Sequence, residues 1–170
     1  MLIEKGETTL EQRVRSNRFG FSFNGIVILF LVLLPNVLFY IFAVQDSTAN
    51  SDFADSYQIL GYFEHASQLI LMLLLVFRVH SKPLSMKSRY VMGMALFLIL
   101  YYALWVRYFA GGRDDYGLIS ESFPVYMGMA ISPAVYFAFA GKWRGDRLGV
   151  ASAITFGVLH ALNTYLNFAI

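Results

Sequence analysis

Glu64, His65 and His160 are ionisable side chains set inside long apolar stretches of the chain, and Glu64 is the only acidic residue well inside such a stretch. A charge at the centre of a membrane helix costs about 2.5–3.5 kcal/mol on the insertion scale, so Glu64 must face protein or water rather than lipid. A carboxylate and an imidazole at one depth on facing helices could share a proton: desolvation raises the carboxyl pKa and a charged imidazole lowers it. That chemistry suits proton-coupled binding or transport, or acid and base catalysis by Glu64 with His160. The same three residues could instead supply the His and carboxylate ligands of a zinc site. No His-x-x-Glu-His spacing supports a metal, and the absence of cysteine removes thiolate ligands, a thiol nucleophile and disulfides. No metal and no cofactor are expected.

Spacing groups these residues into faces. Tyr57, Gly61, Glu64 and Gln68 follow helical periodicity and form one polar or small stripe. His160, Asn163 and Asn167 fall at i, i+3 and i+7 and form another. His65 stands about 100° around its helix from Glu64, so the two do not point the same way. At about 1.5 Å per residue, Asn36 and His160 lie roughly 14 Å below the outer ends of their helices, and Glu64 and Tyr102 roughly 12 Å. Ser132 falls near that level. Several helices therefore bring their most polar interior residues to one layer, and the candidate ligand-binding set is Asn36, Glu64, His65, Gln68, Tyr102, His160 and Asn163. A hydrogen-bonded cluster that only fixes helix packing is the competing reading of the same residues.

The elements that position this layer follow from composition. The 170-residue chain is 58% apolar and only 14% charged, against roughly 25% charged residues in an ordinary soluble domain. Its 16 Phe and 11 Tyr exclude intrinsic disorder. Five stretches reach the roughly 20 apolar residues needed to cross a bilayer: 21–45, 56–79, 90–110, 123–141 and 148–169. The fold class is all-α, a polytopic membrane bundle of five transmembrane helices, with an N-terminal head at 1–20 and one transmembrane domain at 21–170. The first stretch is too long, and too far from the start, for a cleaved signal peptide. The head reads as a solvated tail or as a short amphipathic helix on the inner surface.

Lysine and arginine set the orientation. Eleven of the thirteen fall in the head, the second-to-third connection and the fourth-to-fifth loop, while Arg107 and Arg113 fall on the other side. The positive-inside rule then places the N-terminus in the cytoplasm and the C-terminus outside, in a multi-pass protein of the cell membrane. Arg107 is expected to snorkel to the interface or to pair with Asp114, Asp115 or Glu121, and the glycine-rich segment 111–117 could cover the outer mouth.

Packing signals are of two kinds. Gly149, Ala153, Gly157 and Ala161 recur at steps of four and mark the fifth helix as central. Pro35 and Pro133 each remove a backbone donor, freeing a carbonyl that must find a partner within the protein. Trp105 and Trp143 match an interfacial aromatic belt. Membrane lipids are the expected partners, nucleic acid is not, and so small a bundle would need a second copy or another membrane subunit to transport anything. The functional expectation is an outward-facing intramembrane polar pocket that binds, or helps to transport, a small molecule or lipid; an intramembrane enzyme and a structural or assembly subunit are the alternatives.

Overall fold

A computed structural model describes residues 17–42, 58–80, 84–110 and 123–169. These residues are overwhelmingly helical: α1 (Phe23–Phe42), α2 (Gln58–Phe77), α3 (Arg89–Ala110), α4 (Phe123–Trp143) and α5 (Arg147–Ala169). Of these, α2, α3 and α4 are each long and apolar enough to cross a membrane. The helix bounds fall close to the apolar stretches read from sequence. Two corrections concern their edges. Residues 78 and 79 leave the second stretch as part of a strand, β2 (Arg78–His80), and the end of the N-terminal head is a strand too, β1 (Asn17–Phe19). The two pair antiparallel, with Phe19 opposite Arg78.

That pairing solves a problem every helix end has, because the last carbonyls of a helix lack intrahelical donors. Gly20 N donates to the Phe77 carbonyl at 2.9 Å and Ser22 N to that of Val76 at 2.7 Å. Arg144 completes the series, donating through Nη1 to the Leu75 carbonyl at 2.9 Å and through Nη2 to that of Arg78. Four consecutive carbonyls, from Leu75 near the end of α2 to Arg78 at the start of β2, are thus satisfied by the segment that joins β1 to α1 and by one guanidinium.

Arg144 sits in a three-residue turn whose chemistry is legible in detail. Gly145 adopts φ 67°, Gly145 N donates to the Lys142 carbonyl and Asp146 N to that of Gly141, the pattern of a Schellman termination that favours glycine at the left-handed position. Asp146 then starts α5, accepting from Gly149 N at 3.1 Å, as Ser22 starts α1 by accepting from Gly25 N at 3.2 Å; both are side-chain caps on orphan donors. Because Arg144 reaches α2, and Trp143 Nε1 donates to the Ser85 carbonyl just before α3, the start of α1, the end of α2, the start of α3 and the α4–α5 turn share one end of the bundle. Successive helices therefore alternate in direction.

Around the ring the neighbours are α1, α2, α5, α4, α3 and α1 again. The sequence stripe marks α5 as central, but α4 holds that place: Ala130, Ser132, Pro133, Ala134, Tyr136, Phe137, Ala140 and Gly141 are all buried. The small residues of α5 serve its contact with α4. Ala153 is fully buried, and a Cβ at Gly157 would stand 2.6 Å from Ala134 Cβ. In contrast α1 packs sparsely on its neighbours, which leaves open space along the bundle axis. Its closest approach is at Gly25, where a Cβ would overlap the Leu75 carbonyl. Since Arg144 holds that carbonyl, it cannot yield. Gly25→Ala is accordingly expected to cost about 2 kcal/mol of stability by overpacking, read as a lowered unfolding midpoint in detergent; an unchanged midpoint would refute this packing of α1 on α2.

The outward surfaces are strongly apolar: Phe30, Ile41, Ile59, Leu96, Ile99, Val106, Ile154 and Val158 are all more than half exposed. Soluble monomers rarely expose apolar surface on this scale. Segments 1–16, 43–57, 81–83 and 111–122 lie outside the described residues, and with them Tyr57, Asp114, Asp115, Glu121 and the glycine-rich segment 111–117.

Candidate functional site

Two helices bring the deepest ionisable residues together. Glu64 of α2 is buried, 6% exposed, and its Oε1 lies 2.7 Å from His160 Nδ1 of α5. Asn163, one turn further along α5, donates from Nδ2 to Glu64 Oε2 at 2.5 Å. The i, i+3 spacing of His160 and Asn163 puts both on the face that meets α2, and each carboxylate oxygen receives one partner. The His160 ring also stacks on Phe156, one turn earlier, with centroids 5.2 Å apart and planes 15° from parallel. Packing thus fixes the ring plane and Glu64 fixes which nitrogen it uses. Ser67, next along the same α2 face, is buried and donates to the Glu64 carbonyl at 2.7 Å.

Beside this cluster lies a cavity of about 550 Å³ to which all five helices contribute walls. Its polar wall residues include Asn36, Gln68, Trp105, Thr164 and His160, and the rest is chiefly aliphatic and aromatic. The volume falls within the roughly 300–1,000 Å³ range of ligand pockets, which are mostly apolar with a few placed polar groups. Among the described residues, the wall contains no Asp, Glu, Lys or Arg. Trp105 Nε1 is buried and lies beside the Tyr101 hydroxyl.

Of the seven candidate residues, then, Glu64, His160 and Asn163 form one hydrogen-bonded cluster, and Asn36, Gln68 and His160 line the cavity. His65 does not join them. It is exposed on the outer side of α2, as its 100° offset implies. Without it the three zinc ligands considered from sequence are not assembled, and no group of three or more His, Cys, Asp or Glu placed for a metal occurs among the described residues. The Asn167 side chain lies outside the described residues.

Tyr102 has a different task. Pro35 has no N–H, so the Leu31 carbonyl one turn earlier loses its helical partner. Tyr102 OH supplies the replacement at 2.7 Å. Nearby, Asn36 Nδ2 donates to Tyr101 OH at 3.0 Å and to the Val32 carbonyl at 3.2 Å, while Tyr136 OH donates to the Ile28 carbonyl at 3.3 Å. Polar side chains from α3 and α4 therefore tie down the loosely packed α1 through its backbone. Ser132 is likewise internal to its own helix, donating to the Gly128 carbonyl at 2.6 Å. A double-mutant cycle tests the proline account. Tyr102→Phe is expected to cost about 1–2 kcal/mol, and most of that cost should vanish in a Pro35→Ala background, where residue 35 regains its donor; equal costs in both backgrounds would contradict it.

Sequence reasoning missed two features. Trp105 reads as an interfacial anchor but lines the cavity, packed against Phe39, Tyr101, Tyr108 and Phe109. Arg78 and Arg144 enter the sequence reading only as two of the eleven basic residues counted for orientation, yet Arg144 is 2% exposed and Arg78 Nη1 pairs with Asp146 Oδ1 at 2.6 Å. Burial lowers the Arg144 pKa from the ordinary arginine value and the Asp146 carboxylate opposes that shift. An aspartate three residues before a helical glycine was the available signal, since it predicts a cap and hence a tight turn. Comparison with known proteins adds no relative: no family model, no curated protein and no solved structure matches the chain.

Proposed function

We propose that the chain is a multi-pass protein of the cell membrane whose five helices all cross the bilayer, with the strand-paired end cytoplasmic, and that it binds a small molecule or lipid in the central cavity, alone or as part of a transporter. The observation that carries this reading is the cavity walled by five helices beside a buried carboxylate hydrogen-bonded to a wall histidine. Two considerations support the topology. The helices alternate in direction, and α5, at 23 residues, extends about 35 Å. With the basic end inside, Trp105, Tyr126 and Thr164 lie in the extracytoplasmic half of the cavity.

The Glu64 and His160 pair also suits acid and base catalysis on a substrate held in the cavity, and the 2.7 Å contact is the observation in favour of that second reading. Binding is preferred because the described wall supplies shape and hydrogen bonds without an evident nucleophile activated by His160.

A chain without cysteine makes the test simple. A single thiol at Thr164, on the cavity wall, is expected to react with a membrane-impermeant maleimide added from outside, because the reaction needs water and thiolate. A thiol at Val158, 61% exposed on the outer face of α5, should stay unreactive in lipid. Failure of Thr164→Cys to label, in a folded protein that labels once solubilised, would sink the outward-facing cavity.

A further inference from the structure

His65 is a polar residue that the cavity does not use. It lies on the exposed side of α2, seven residues beyond Gln58 and therefore about 10 Å inside that end of the helix. A helix of 20 residues extends about 30 Å, the thickness of the hydrocarbon core. With α2 crossing the bilayer, the imidazole stands at a depth where ionisable side chains face protein or a water-filled cavity rather than lipid. It is not alone there. Gln58, Tyr62, His65 and Leu69 recur at steps of four, three and four, the spacing of a helix-pairing seam, and all four are exposed, Tyr62 by 68%. The buried residues Glu64, Ser67, Leu71 and Leu75 occupy the other side of the helix. Neither Tyr62 nor His65 makes a hydrogen bond among the described residues, and the Glu64 carboxylate, next in the chain, is taken by His160 and Asn163.

Physical chemistry limits what covers these groups. Irregular backbone does not lie against lipid at this depth, because its N–H and C=O groups would lack partners, so the cover is a helix. The five helices of the chain close a ring that leaves this face bare, and the N-terminal head meets the opposite end of α2 through β1. The covering helix therefore belongs to another chain, and the stripe itself selects which. A lone charge is strongly disfavoured in hydrocarbon, and an amide, a phenol and an uncharged imidazole each carry both a donor and an acceptor. A stripe of such groups is its own complement. Gly61, one turn before His65, adds room: a Cβ there would meet no atom within 4 Å, and a bare glycine lets a neighbouring helix approach closely.

Resting on the reading that α2 crosses the bilayer, and on nothing the cavity holds, we propose that a second copy of this chain packs on this face, α2 against α2, about a two-fold axis along the membrane normal. Copies inserted in one orientation bring equal depths together, so each residue of the stripe meets its counterpart or that counterpart's neighbour one turn away. One His65 ring donates an N–H to the free ring nitrogen of the second copy's His65, a bond that two uncharged imidazoles share. The Tyr62 hydroxyls and Gln58 amides pair in the same way nearer the Gln58 end. Leu69 and Leu73, both exposed, continue the contact as apolar knobs toward the other end.

A chain without cysteine again supplies the test. In liposomes of the full chain, Leu69→Cys, which leaves every polar group of the stripe in place, is expected to form a disulfide-linked dimer on mild oxidation and to keep forming it when lipid is raised about tenfold over protein. Val158→Cys, on the outward face of α5, should link only by collision and lose its product on that dilution. In the Leu69→Cys background, His65→Leu should weaken association by about tenfold, read from the dilution at which half of the product is lost, and His65→Gln, which keeps a donor and an acceptor, should restore most of it. Residue 65 is exposed, so both variants are expected to fold. Loss of the Leu69→Cys dimer in step with Val158→Cys overturns the proposal, as does a His65→Leu variant that associates as well as its parent. A Leu69→Cys product that links the chain to a different protein in native membranes overturns it too. No dimer from a chain that stays in carbonate-washed membranes refutes the dimer alone; release by carbonate refutes the bilayer reading with it, and labelling at Thr164 reports on the cavity independently of both.

Discussion

Replacing Arg144 with methionine lowers the unfolding free energy by about 3 kcal/mol, because it strips two carbonyls, those of Leu75 and Arg78, of the guanidinium that donates to both. It also removes the clasp that ties the α4–α5 turn to the end of α2 and, through Ser22 Oγ at 3.4 Å, to the start of α1. Lysine retains the charge but cannot serve two diverging acceptors with a planar fork, so Arg144→Lys recovers less than half of the loss. Equilibrium unfolding in mixed micelles measures both variants. A loss below about 1 kcal/mol for methionine, the range of an exposed cation, would show that the guanidinium is not the organising contact described above. Because this clasp lies at the end of the bundle away from Glu64 and His160, thiol reactivity at Thr164 should survive in whatever fraction of Arg144→Met remains folded.

Filling the cavity has the opposite signature. Ala130 is 4% exposed and lies on the cavity wall, so Ala130→Phe places a ring where a ligand or water would sit. The expected result is a fall of at least about tenfold in the rate at which Thr164→Cys reacts with an external maleimide, since thiolate formation needs water at the sulfur. The protein should keep its monodisperse elution profile. An unchanged rate would mean that reagent reaches residue 164 without passing through the cavity.

The helices were legible because long apolar stretches mark long helices: all five described helices fall close to the apolar stretches, and three of them are long and apolar enough to cross a membrane. The sequence also put Glu64 and His160 at one depth, where they could share a proton, because rarity of charge singles out Glu64 and a rise of about 1.5 Å per residue gives a depth; that Asn163 also donates to Glu64 was not read from it. Depth, however, does not say which way a side chain points around the bundle. Tyr102 shares the level of the cluster and is turned to the Leu31 carbonyl instead, and Trp105 shares an interfacial position and is turned inward. Those outcomes depend on which helices are neighbours, a fact that periodicity within one helix does not contain. The strand pair and Arg144 escaped for another reason: they satisfy backbone groups at a helix end, and an orphan carbonyl leaves no mark in the residue alphabet. The prolines are the exception, since each announces a carbonyl one turn earlier that needs a donor.

The central claim is that the space beside Glu64 and His160 is occupied by a small molecule. Native mass spectrometry of the purified protein, released from detergent under gentle activation, tests it most directly. The unmodified chain should carry a discrete small-molecule adduct that Ala130→Phe lacks, with lipid adducts alike in both. Identical adduct patterns in the two proteins, or no adduct on the unmodified chain beyond those lipids, would contradict the claim.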